Sequence, residues 1–300
     1  MNWNGKKMQT SKTAVALGFF DGVHIGHMSL INKIKDLETE GLKSCVYTFD
    51  KHPSEIFGQG VELICSFEDK IRILEETGVN SVYVQKTDKQ FLFLSPEEFV
   101  KTVLIEELDA AHVVAGENFT FGKNKSGNAD VLKKLCAEEG IKCTIMPCKK
   151  IGETVVSSTE IRKMIAEGNI RSANEFLGRR YGYSGVVKPG THIGVKLGFP
   201  TANIIPDEKN IMPPNGVYAS AVVVDGSTYK AITNIGIAPT FDKTKKLIET
   251  NILDFEGDIY NKEIYIFLAD MIRPEKKFAS ADELSAQIEK DIEKRRCLDE

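Results

Sequence analysis

The fold of the first half of the chain is decided by the segment Leu17-Gly18-Phe19-Phe20-Asp21-Gly22-Val23-His24-Ile25-Gly26-His27. An apolar run at residues 13–19 enters this segment, and residues 28–40 leave it with their apolar side chains on one helical face. These patterns predict a strand, a glycine-containing loop and a helix, in that order. Such a loop directs main-chain N–H groups toward an anion at the start of the helix, and a phosphate group suits that position.

The two histidines of this loop can strengthen such an anion site. His24 and His27 carry donors that neutralise charge developing on an α-phosphate, while Gly26 lets the main chain approach closely. We predict that the residues of this loop in contact with nucleotide phosphates are Gly18, Phe19 and Gly26. Two alternatives remain open at this point, since the histidines can also cap the helix or bind a metal together with His52.

The chain around this loop alternates between strand and helix patterns up to residue 147. Short apolar runs predict five strands, at residues 13–19, 43–49, 81–84, 111–115 and 142–147. An amphipathic stretch follows each of the first four, which is typical of an α/β fold in which helices cover a parallel sheet. Two further helices are predicted after the hydroxyl-rich turn at residues 157–159, at residues 160–166 and 171–177.

The chain changes character beyond residue 178. Turn residues separate short β-rich runs, which predict strands at residues 183–187, 217–224, 229–234, 248–253 and 264–267. We expect these strands to form a small antiparallel barrel and a final amphipathic helix, at residues 281–296, to pack on it. The predicted domains are residues 1–180 and residues 181–300.

Composition excludes several classes of function. The 300 residues carry 39 basic and 43 acidic side chains and a net charge of −4, which is too balanced for a nucleic-acid-binding surface. No apolar run approaches the roughly 20 residues of a membrane helix, and the six cysteines contain no C-x-x-C pair. We expect a cytoplasmic protein whose partners are small molecules, with neither nucleic acid nor a membrane among them; its oligomeric state is open.

Two further segments of the first half have the character of ligand loops. Asn118 and Phe119 follow the strand predicted at residues 111–115, and strand ends of this kind form binding crevices. Ser158 and Arg162 begin a helix with a hydroxyl and a cation, which suits a second phosphate clamp. A surface turn and an ordinary capped helix are the respective alternatives.

These segments, together with Thr48-Phe49-Asp50-Lys51-His52-Pro53, resemble the nucleotidylyltransferase half of the prokaryotic bifunctional riboflavin kinase/FMN adenylyltransferase (FAD synthetase) family. The resemblance implies that His24 and His27 bind and activate ATP. It also implies that Asn118 and Phe119 contact nucleotide or flavin. Ser158 and Arg162 are implied to contact phosphate, with Arg162 taking part in catalysis. Three residues depart from the family pattern. Phe19 stands where Asn is usual, Lys51 where Pro is usual and Thr120 where Arg is common.

A second chemistry-bearing segment runs from residue 190 to residue 203. Its glycines leave main-chain amides open to nucleotide phosphates, and Thr201 and Asn203 offer a hydroxyl and an amide oxygen to Mg²⁺. The residues predicted to bind ATP here also include Gly190, Gly194 and Lys196. A long hairpin, whose glycines and proline serve turn geometry, is the alternative.

A glutamate further along the chain is a candidate base. Glu249 lies in the strand predicted at residues 248–253. A carboxylate near a metal-bound nucleotide can accept the proton of an attacking hydroxyl, as phosphoryl transfer to an alcohol requires. A solvated or ion-paired glutamate is the alternative.

Residues 182–296 resemble the riboflavin kinase module of the same family, most specifically in Gly198-Phe199-Pro200-Thr201-Ala202-Asn203. The resemblance implies that Thr201 and Asn203 hold Mg-ATP and that Glu249 activates the riboflavin 5′-hydroxyl. The string Ile272-Arg273-Pro274 is a supporting match, and Arg273 is expected to contact the flavin. Two residues depart from the pattern: Val195 stands where Arg is frequent, and Asn251 stands where His is frequent.

The resemblance covers nearly the whole chain and implies a complete architecture. It consists of an N-terminal α/β, Rossmann-like nucleotidylyltransferase domain with a parallel sheet, followed by a C-terminal antiparallel β-barrel riboflavin kinase domain with a terminal helix. The implied activities are phosphorylation of riboflavin to FMN and adenylylation of FMN to FAD and pyrophosphate, both with ATP and Mg²⁺. The alternatives are a protein with one active half and a non-catalytic flavin-binding regulator.

Overall fold

The computed structural model describes residues 11–58, 60–190, 194, 197–237 and 246–298. The chain divides into two compact units, Met1–Ser158 and Thr159–Glu300. The helices predicted at residues 160–166 and 171–177 are counted with the second unit, while the domain boundary at residue 180 stays a prediction. Two residues singled out above, Lys196 and Val195, lie outside the described part of the chain.

The first unit is built on a parallel sheet whose strand order is β3-β2-β1-β4-β5. The strands are β1 Thr13–Leu17, β2 Lys43–Phe49, β3 Ser81–Gln85, β4 Ala110–Gly116 and β5 Lys142–Met146. This is the order of a doubly wound, Rossmann-like sheet. Strand β1 is buried along its whole length, because a strand in such a sheet is covered on both faces. The predicted α/β fold is confirmed.

Helices follow the strands of this sheet. They are α1 Ile25–Asp36, α2 Phe67–Glu76, α3 Lys89–Leu92, α4 Pro96–Glu98 and α5 Ala129–Glu138, and α4 runs on into a π-helical segment, Phe99–Glu107. Successive residues of β1 alternate between two hydrophobic cores, one with Ile31 of α1 and the other with Leu132 of α5. The sheet is therefore packed on both faces. A hairpin of β6 Lys150–Ile151 and β7 Thr154–Val155 follows it.

Helix α1 differs from its prediction at both ends. It begins at Ile25 rather than at residue 28, because the side chain of His24 caps it by accepting a hydrogen bond from the main chain of His27. It ends at Asp36, because Leu37–Glu40 tighten into a 3-10 turn. The cap places His24 and His27 at the very start of the helix, where main-chain N–H groups have no helical acceptor.

In the second unit, two helices precede a six-stranded antiparallel sheet of order β8-β13-β10-β11-β12-β9. The helices are α6 Ser158–Ala166 and α7 Ile170–Leu177; the strands are β8 Tyr181–Val186, β9 Ala202–Ile204, β10 Gly216–Val224, β11 Ser227–Ile237, β12 Lys246–Ile252 and β13 Glu263–Pro274. The sheet curls into a half-barrel, whose ends meet where Lys188 N–H donates to the carbonyl of Asn203 at 2.8 Å. The predicted antiparallel barrel is confirmed in this form.

Strands β9 and β13 differ most from the sequence prediction, in which β9 is absent and β13 is much shorter. Strand β9 has three residues, too few to produce an alternating pattern. Strand β13 extends well beyond the predicted residues 264–267, because one part of it pairs with β8 while the other continues along β10.

The last helix, α8 Ala281–Cys297, fixes one face of the half-barrel. Ile288 and Ile292 pack on a cluster that includes Ala219 and Ile232 of the sheet. The buried guanidinium of Arg295 donates through Nε to the carbonyl of Ser220 at 2.8 Å, so its charge is held by the main chain of β10. None of the helices in the described ranges is long and apolar enough to cross a membrane.

Candidate functional sites

The loop between β1 and α1 has a conformation that L-residues rarely adopt. Phe20 has φ 58°, Gly22 has φ 71° and Val23 has φ 39°. Strain of this kind persists only where surrounding contacts impose it, and it concentrates at functional sites. The main-chain N–H of Ile64 donates to Asp21 Oδ1 at 2.9 Å. The contact with Ile64 thus helps to hold the loop in this strained shape.

Two hydroxyl groups also hold this loop. Thr48 Oγ1 donates to the carbonyl of Phe19 at 2.9 Å, and Ser158 Oγ donates to the carbonyl of Asp21 at 3.0 Å. Ser158, predicted to bind phosphate, is the first residue of α6. Arg162 lies on the same helix, half-buried, with its Nη2 3.4 Å from Thr159 Oγ1.

The predicted histidine pair is brought together at the start of α1. The rings of His24 and His27 stack with 3.6 Å between centroids and 15° between planes. His24 Nδ1 accepts from His27 N–H at 3.2 Å, so a neutral His24 ring carries its proton on Nε2. A Cβ at Gly26 would lie 3.1 Å from the His24 ring, which explains a glycine here. Stacked imidazoles at a helix N-terminus form a site for an anion.

The surroundings of His52 do not support the metal alternative. Its ring packs edge-on against Phe19, with 4.9 Å between centroids, and its Nδ1 bonds to Ser54 Oγ. Over the ranges that the structure describes, no group of three metal-ligating side chains is placed to hold an ion. The helix-cap alternative, in contrast, is partly correct, because His24 does cap α1 while its ring also faces His27.

The segment after β4 places its predicted residues at the carboxyl end of the sheet. Asn118 is exposed, and Phe119 is half-buried and stacks on Phe121 with 5.7 Å between centroids. Strands β1 and β4 are parallel neighbours, so the loops that follow them leave from the same edge. That edge is where α/β sheets bind ligands.

Sequence reasoning missed a buried lysine beside this edge. Lys70 of α2 is only 4% exposed, and its Nζ lies 4.3 Å from the centroid of the Phe19 ring. A lysine in an amphipathic helix is ordinarily interpreted as solvent-exposed, which is why its sequence position gave no signal.

In the second unit, four polar site residues lie in one row across the sheet. Residues paired across strands point to the same face, and the pairing runs from β13 to β9 in the order Arg273, Val217, Asn234, Glu249 and Asn203. Asn234 Nδ2 donates to Glu249 Oε2 at 3.4 Å. The row was not visible in the sequence, because strand register is set by long-range pairing.

Asn203 has an amide oxygen with unused bonding capacity. Its Nδ2 donates to the carbonyl of Thr201 at 3.2 Å, while its buried Oδ1 has no hydrogen-bond partner among the described residues. A buried, unsatisfied oxygen is costly unless something else binds it. A Cβ at Gly190 would clash with the Asn203 amide, and one at Gly194 with the carbonyl of Phe199. A glycine at residue 190 therefore lets the main chain pass close to Asn203, and one at residue 194 lets it pass close to Phe199.

Two cavities meet at Thr201. One, of about 390 Å³, is also lined by Val187, Phe255 and Tyr260. The other, of about 510 Å³, has Glu249, Asn251 and Arg273 beside an apolar wall that includes Phe199, Ile232 and Leu284. Asn251 Nδ2 donates to the carbonyl of Pro200 at 2.8 Å, so this residue supports the wall between the cavities. Thr201 therefore lines both cavities.

Arg273 is held by a carboxylate that the sequence analysis did not single out. Its Nε donates to Asp291 Oδ2 at 2.9 Å, and Gln287 Nε2 donates to Asp291 Oδ1 at 3.0 Å. Asp291 is buried on α8. Its position between Ile288 and Ile292, next to the apolar stripe of the helix, is the sequence signal that could have indicated a buried carboxylate.

Replacing this carboxylate tests whether α8 orders the cavity. In Asp291→Asn the guanidinium of Arg273 keeps a partner but loses the opposite charge, and we expect a local loss of about 2 kcal/mol. Amide hydrogen exchange in α8 and β13 should then be faster by about 30-fold. The exposed Glu289→Gln on the same helix is the matched control. Equal exchange in the two variants would show that the ion pair contributes nothing.

Comparisons with known proteins agree with the two-unit structure. A family model described as FAD synthetase matches residues 6–160, and one described as riboflavin kinase matches residues 177–298. The chain is 38% identical over 293 residues to the bifunctional riboflavin kinase/FMN adenylyltransferase of Bacillus subtilis (strain 168), covering 95% of this chain and 92% of that protein. The protein of the same name from Escherichia coli (strain K12) is 34% identical over 284 residues, with 92% and 90% covered.

A solved structure covers both units. The crystal structure of a Streptococcus pneumoniae protein, named there a macrolide-efflux protein, matches 99% of this chain and 98% of its own with a TM-score of 0.89 and 32% identity. With both family models matched in order and relatives similar over nearly their full length, the chain belongs to the family of bifunctional riboflavin kinase/FMN adenylyltransferases.

Proposed function

We propose that the second unit phosphorylates riboflavin with ATP to give FMN, and that the first unit joins FMN to the AMP moiety of a second ATP, giving FAD and pyrophosphate. One observation carries the proposal, namely that each unit has its own polar cluster inside the residues matched by its own family model. His24 and His27 lie within residues 6–160, and Asn203 and Glu249 lie within residues 177–298. The substrates are then small molecules, and the protein works in the cytoplasm, where ATP is made.

For the kinase step, the two cavities suggest separate places for the substrates. Riboflavin occupies the larger cavity, because its apolar wall suits the isoalloxazine ring and Arg273 can bind a polar edge of it. ATP occupies the smaller cavity, with its γ-phosphate at Thr201. Gly190 and Gly194 are assigned to the nucleotide, because neither position has room for a Cβ, and Lys196 is assigned to it from its place in the same sequence segment.

In this arrangement Glu249 is the base. Its carboxylate accepts the proton of the riboflavin 5′-hydroxyl as the hydroxyl oxygen forms a bond to the γ-phosphorus, and the bond from that phosphorus to the β–γ bridging oxygen breaks to release ADP. Asn234, which donates to Glu249, orients the carboxylate.

The side chains at Asn203 and Thr201 fit a magnesium ion. The amide oxygen of Asn203 is buried and unsatisfied among the described residues, and oxygen ligands are what Mg²⁺ prefers. When bound, Mg²⁺ would supply positive charge to the nucleotide phosphates. Asn203 and Thr201 would hold it, and the remainder of the row orients the acceptor.

For adenylyl transfer, an oxygen of the FMN phosphate forms a bond to the α-phosphorus of ATP. The bond from that phosphorus to the α–β bridging oxygen breaks, and pyrophosphate leaves with this oxygen. His24, His27 and the first N–H groups of α1 stabilise the charge that develops on the α-phosphate. Gly18, Phe19, Gly26 and Ser158 are assigned to the phosphates, and Asn118 and Phe119 to the flavin, while the catalytic role of Arg162 stays a prediction. No covalent intermediate with the protein is needed, so positioning and charge stabilisation dominate.

A time course with purified protein tests the proposal as a whole. Riboflavin, ATP and Mg²⁺ are incubated with the protein, and the flavins are separated by chromatography. FMN should appear first and FAD later, and excess chelator should stop both. If neither flavin product accumulates, the protein is not an enzyme of this kind; FMN without FAD would restrict it to the kinase half.

The magnesium assignment has a matched pair of variants. Asn203→Leu removes the proposed ligand and should lower riboflavin phosphorylation by at least about 10-fold, with FMN adenylylation unchanged. Asn210 is also buried, and its amide oxygen likewise has no partner among the described residues. Asn210→Leu should leave both activities intact. Equal losses in the two variants would mean that burial, not metal binding, explains the effect at Asn203.

A further inference from the structure

Lys70 is a buried cation at the edge of the sheet where the β1–α1 loop begins. Its Nζ donates to the carbonyl of Phe49, the last residue of β2, at 2.8 Å, and to the carbonyl of Phe19 at 3.4 Å. The ammonium group therefore joins the carboxyl ends of two neighbouring strands. Its hydrogen bonds go to main-chain carbonyls rather than to a carboxylate, which is an unusual way to bury a full charge.

Aromatic rings complete the surroundings of this ammonium group. The ring centroids of Phe19 and Phe67 lie 4.3 Å and 5.4 Å from Nζ. Cation–π contacts of this length are favourable, more so when the cation is desolvated. The aromatic side chain of Phe19 therefore covers the ammonium group.

The lysine is linked to the histidine pair by consecutive residues. Its partner Phe19 precedes Phe20, whose φ is 58°, and the Phe20 ring contacts the His27 ring with 5.0 Å between centroids. A shift of the Phe19 carbonyl would be transmitted to Phe20 and from there to His27. Because the loop is strained, it depends on every contact that holds it in place.

We propose that Lys70 is a positioning residue for adenylyl transfer, whose ammonium group clamps the β1–α1 loop to the end of β2 and so fixes His27 for the reaction. This inference rests on the proposed function of the first unit. A methionine would fill the same volume without the cost of burying a charge, so the charge itself is the feature that needs a role.

The charge of Lys70 is lost in a mildly alkaline range. Burial lowers the pKa of Lys70 to about 8, and the groups that face it and oppose this shift are Cys65, Asp21, Asp50 and Glu55. Above that pH the clamp is uncharged, and adenylyl transfer should decline while riboflavin phosphorylation in the second unit does not.

Fold stability responds to the same titration with the opposite sign. Between about pH 8 and the ordinary lysine value of about 10.4, the unfolded chain holds more protons at this side chain than the folded chain. The contribution of Lys70 to stability therefore rises with pH over this range. A decline of activity there cannot be attributed to unfolding caused by this lysine.

The experiment compares Lys70→Met and Lys70→Arg with the wild-type full-length chain. Formation of FAD from supplied FMN is measured from pH 6.5 to 9.5, with kcat and KM for FMN and ATP, and riboflavin phosphorylation in the same samples is the internal control. Lys70→Met should lower kcat for adenylyl transfer by about 10-fold to 100-fold, change KM little and abolish the alkaline decline. Lys70→Arg should retain most of kcat and remain active at pH 9.

A second lysine supplies the matched control. Lys35 of α1 also donates to a main-chain carbonyl, that of Thr77, but it lies at the other end of α1 from His24. Lys35→Met should leave adenylyl transfer unchanged. The thermal unfolding of Lys70→Met should occur at the wild-type temperature or above it, because the variant no longer buries a charge.

Several results would overturn the inference. The first is a kcat for adenylyl transfer in Lys70→Met that equals the wild-type value. The second is a loss of both activities or of thermal stability in Lys70→Met, which would indicate a structural role. An alkaline decline that persists in both variants would assign the titration to another group. If the wild-type chain makes FMN from riboflavin but no FAD from FMN, the proposed function of the first unit fails, and the inference about Lys70 fails with it.

Discussion

His27→Ala is expected to abolish FAD formation from supplied FMN while riboflavin phosphorylation continues at the wild-type rate. The side chain lies at the first turn of α1, with its ring stacked on His24. Both a positioned donor and a contact that orders His24 are lost in the variant. Removal of one such donor from a preorganised site lowers kcat by about 100-fold to 1,000-fold, and the additional loss of ring stacking places the expected effect at the upper end.

The measurement uses two separate incubations of each protein, one with FMN and ATP and one with riboflavin and ATP. His112→Asn is the matched control, since His112 is also a buried histidine of the first unit. It lies on β4 and bonds to Thr144 through Nε2, so its replacement should spare FAD formation. Loss of FMN production in His27→Ala would contradict the assignment of the two activities to separate units.

Glu249→Gln is expected to have the reciprocal effect. The variant keeps the size of the side chain and an oxygen that can accept from Asn234, but it removes the group that takes the proton of the riboflavin hydroxyl. General-base catalysis contributes about 100-fold to 10,000-fold, so FMN production should fall by that amount. Conversion of supplied FMN to FAD should be unchanged, because it takes place in the other unit.

The exposed Glu263→Gln, at the start of β13, is the control for this variant. A stronger test mixes the two single variants. With riboflavin and ATP as substrates, neither His27→Ala nor Glu249→Gln by itself should make FAD. The mixture of the two variants should make FAD, because His27→Ala supplies the FMN that Glu249→Gln adenylylates. Retention of more than a tenth of the wild-type FMN production in Glu249→Gln would contradict the role of this carboxylate as the base.

The architecture of the first unit was largely predictable because its signals are local. Apolar runs, amphipathic stretches and the glycines of the β1–α1 loop each lie within a few residues of one another, and they gave the strands and the α/β class. The start of α1 was predicted too late, because histidine is not among the usual N-cap residues. Its cap depends on one ring nitrogen of His24, which a sequence pattern does not reveal.

The sites were predictable as residue types and less so as arrangements. Asn203 and Glu249 were found because amide and carboxylate oxygens suit metal binding and proton transfer. Their common row with Arg273 depends on the register of distant strands, and the ion pair with Asp291 depends on where α8 packs. Lys70 was missed because its burial arises from Phe19 and Phe49, which are far from it in sequence.

The register of β12 restricts how this sequence can change over evolution. Glu249 points to the face of the sheet that carries the site, while its neighbour Thr250 points to the other face, where its hydroxyl bonds to Thr233 in a fully buried position. Deleting one residue at the start of this strand would exchange the two faces. An unpaired carboxylate would enter the core and a hydroxyl would replace the base. Insertions and deletions in families of this fold should therefore be confined to the connections between strands and be absent from β12 itself.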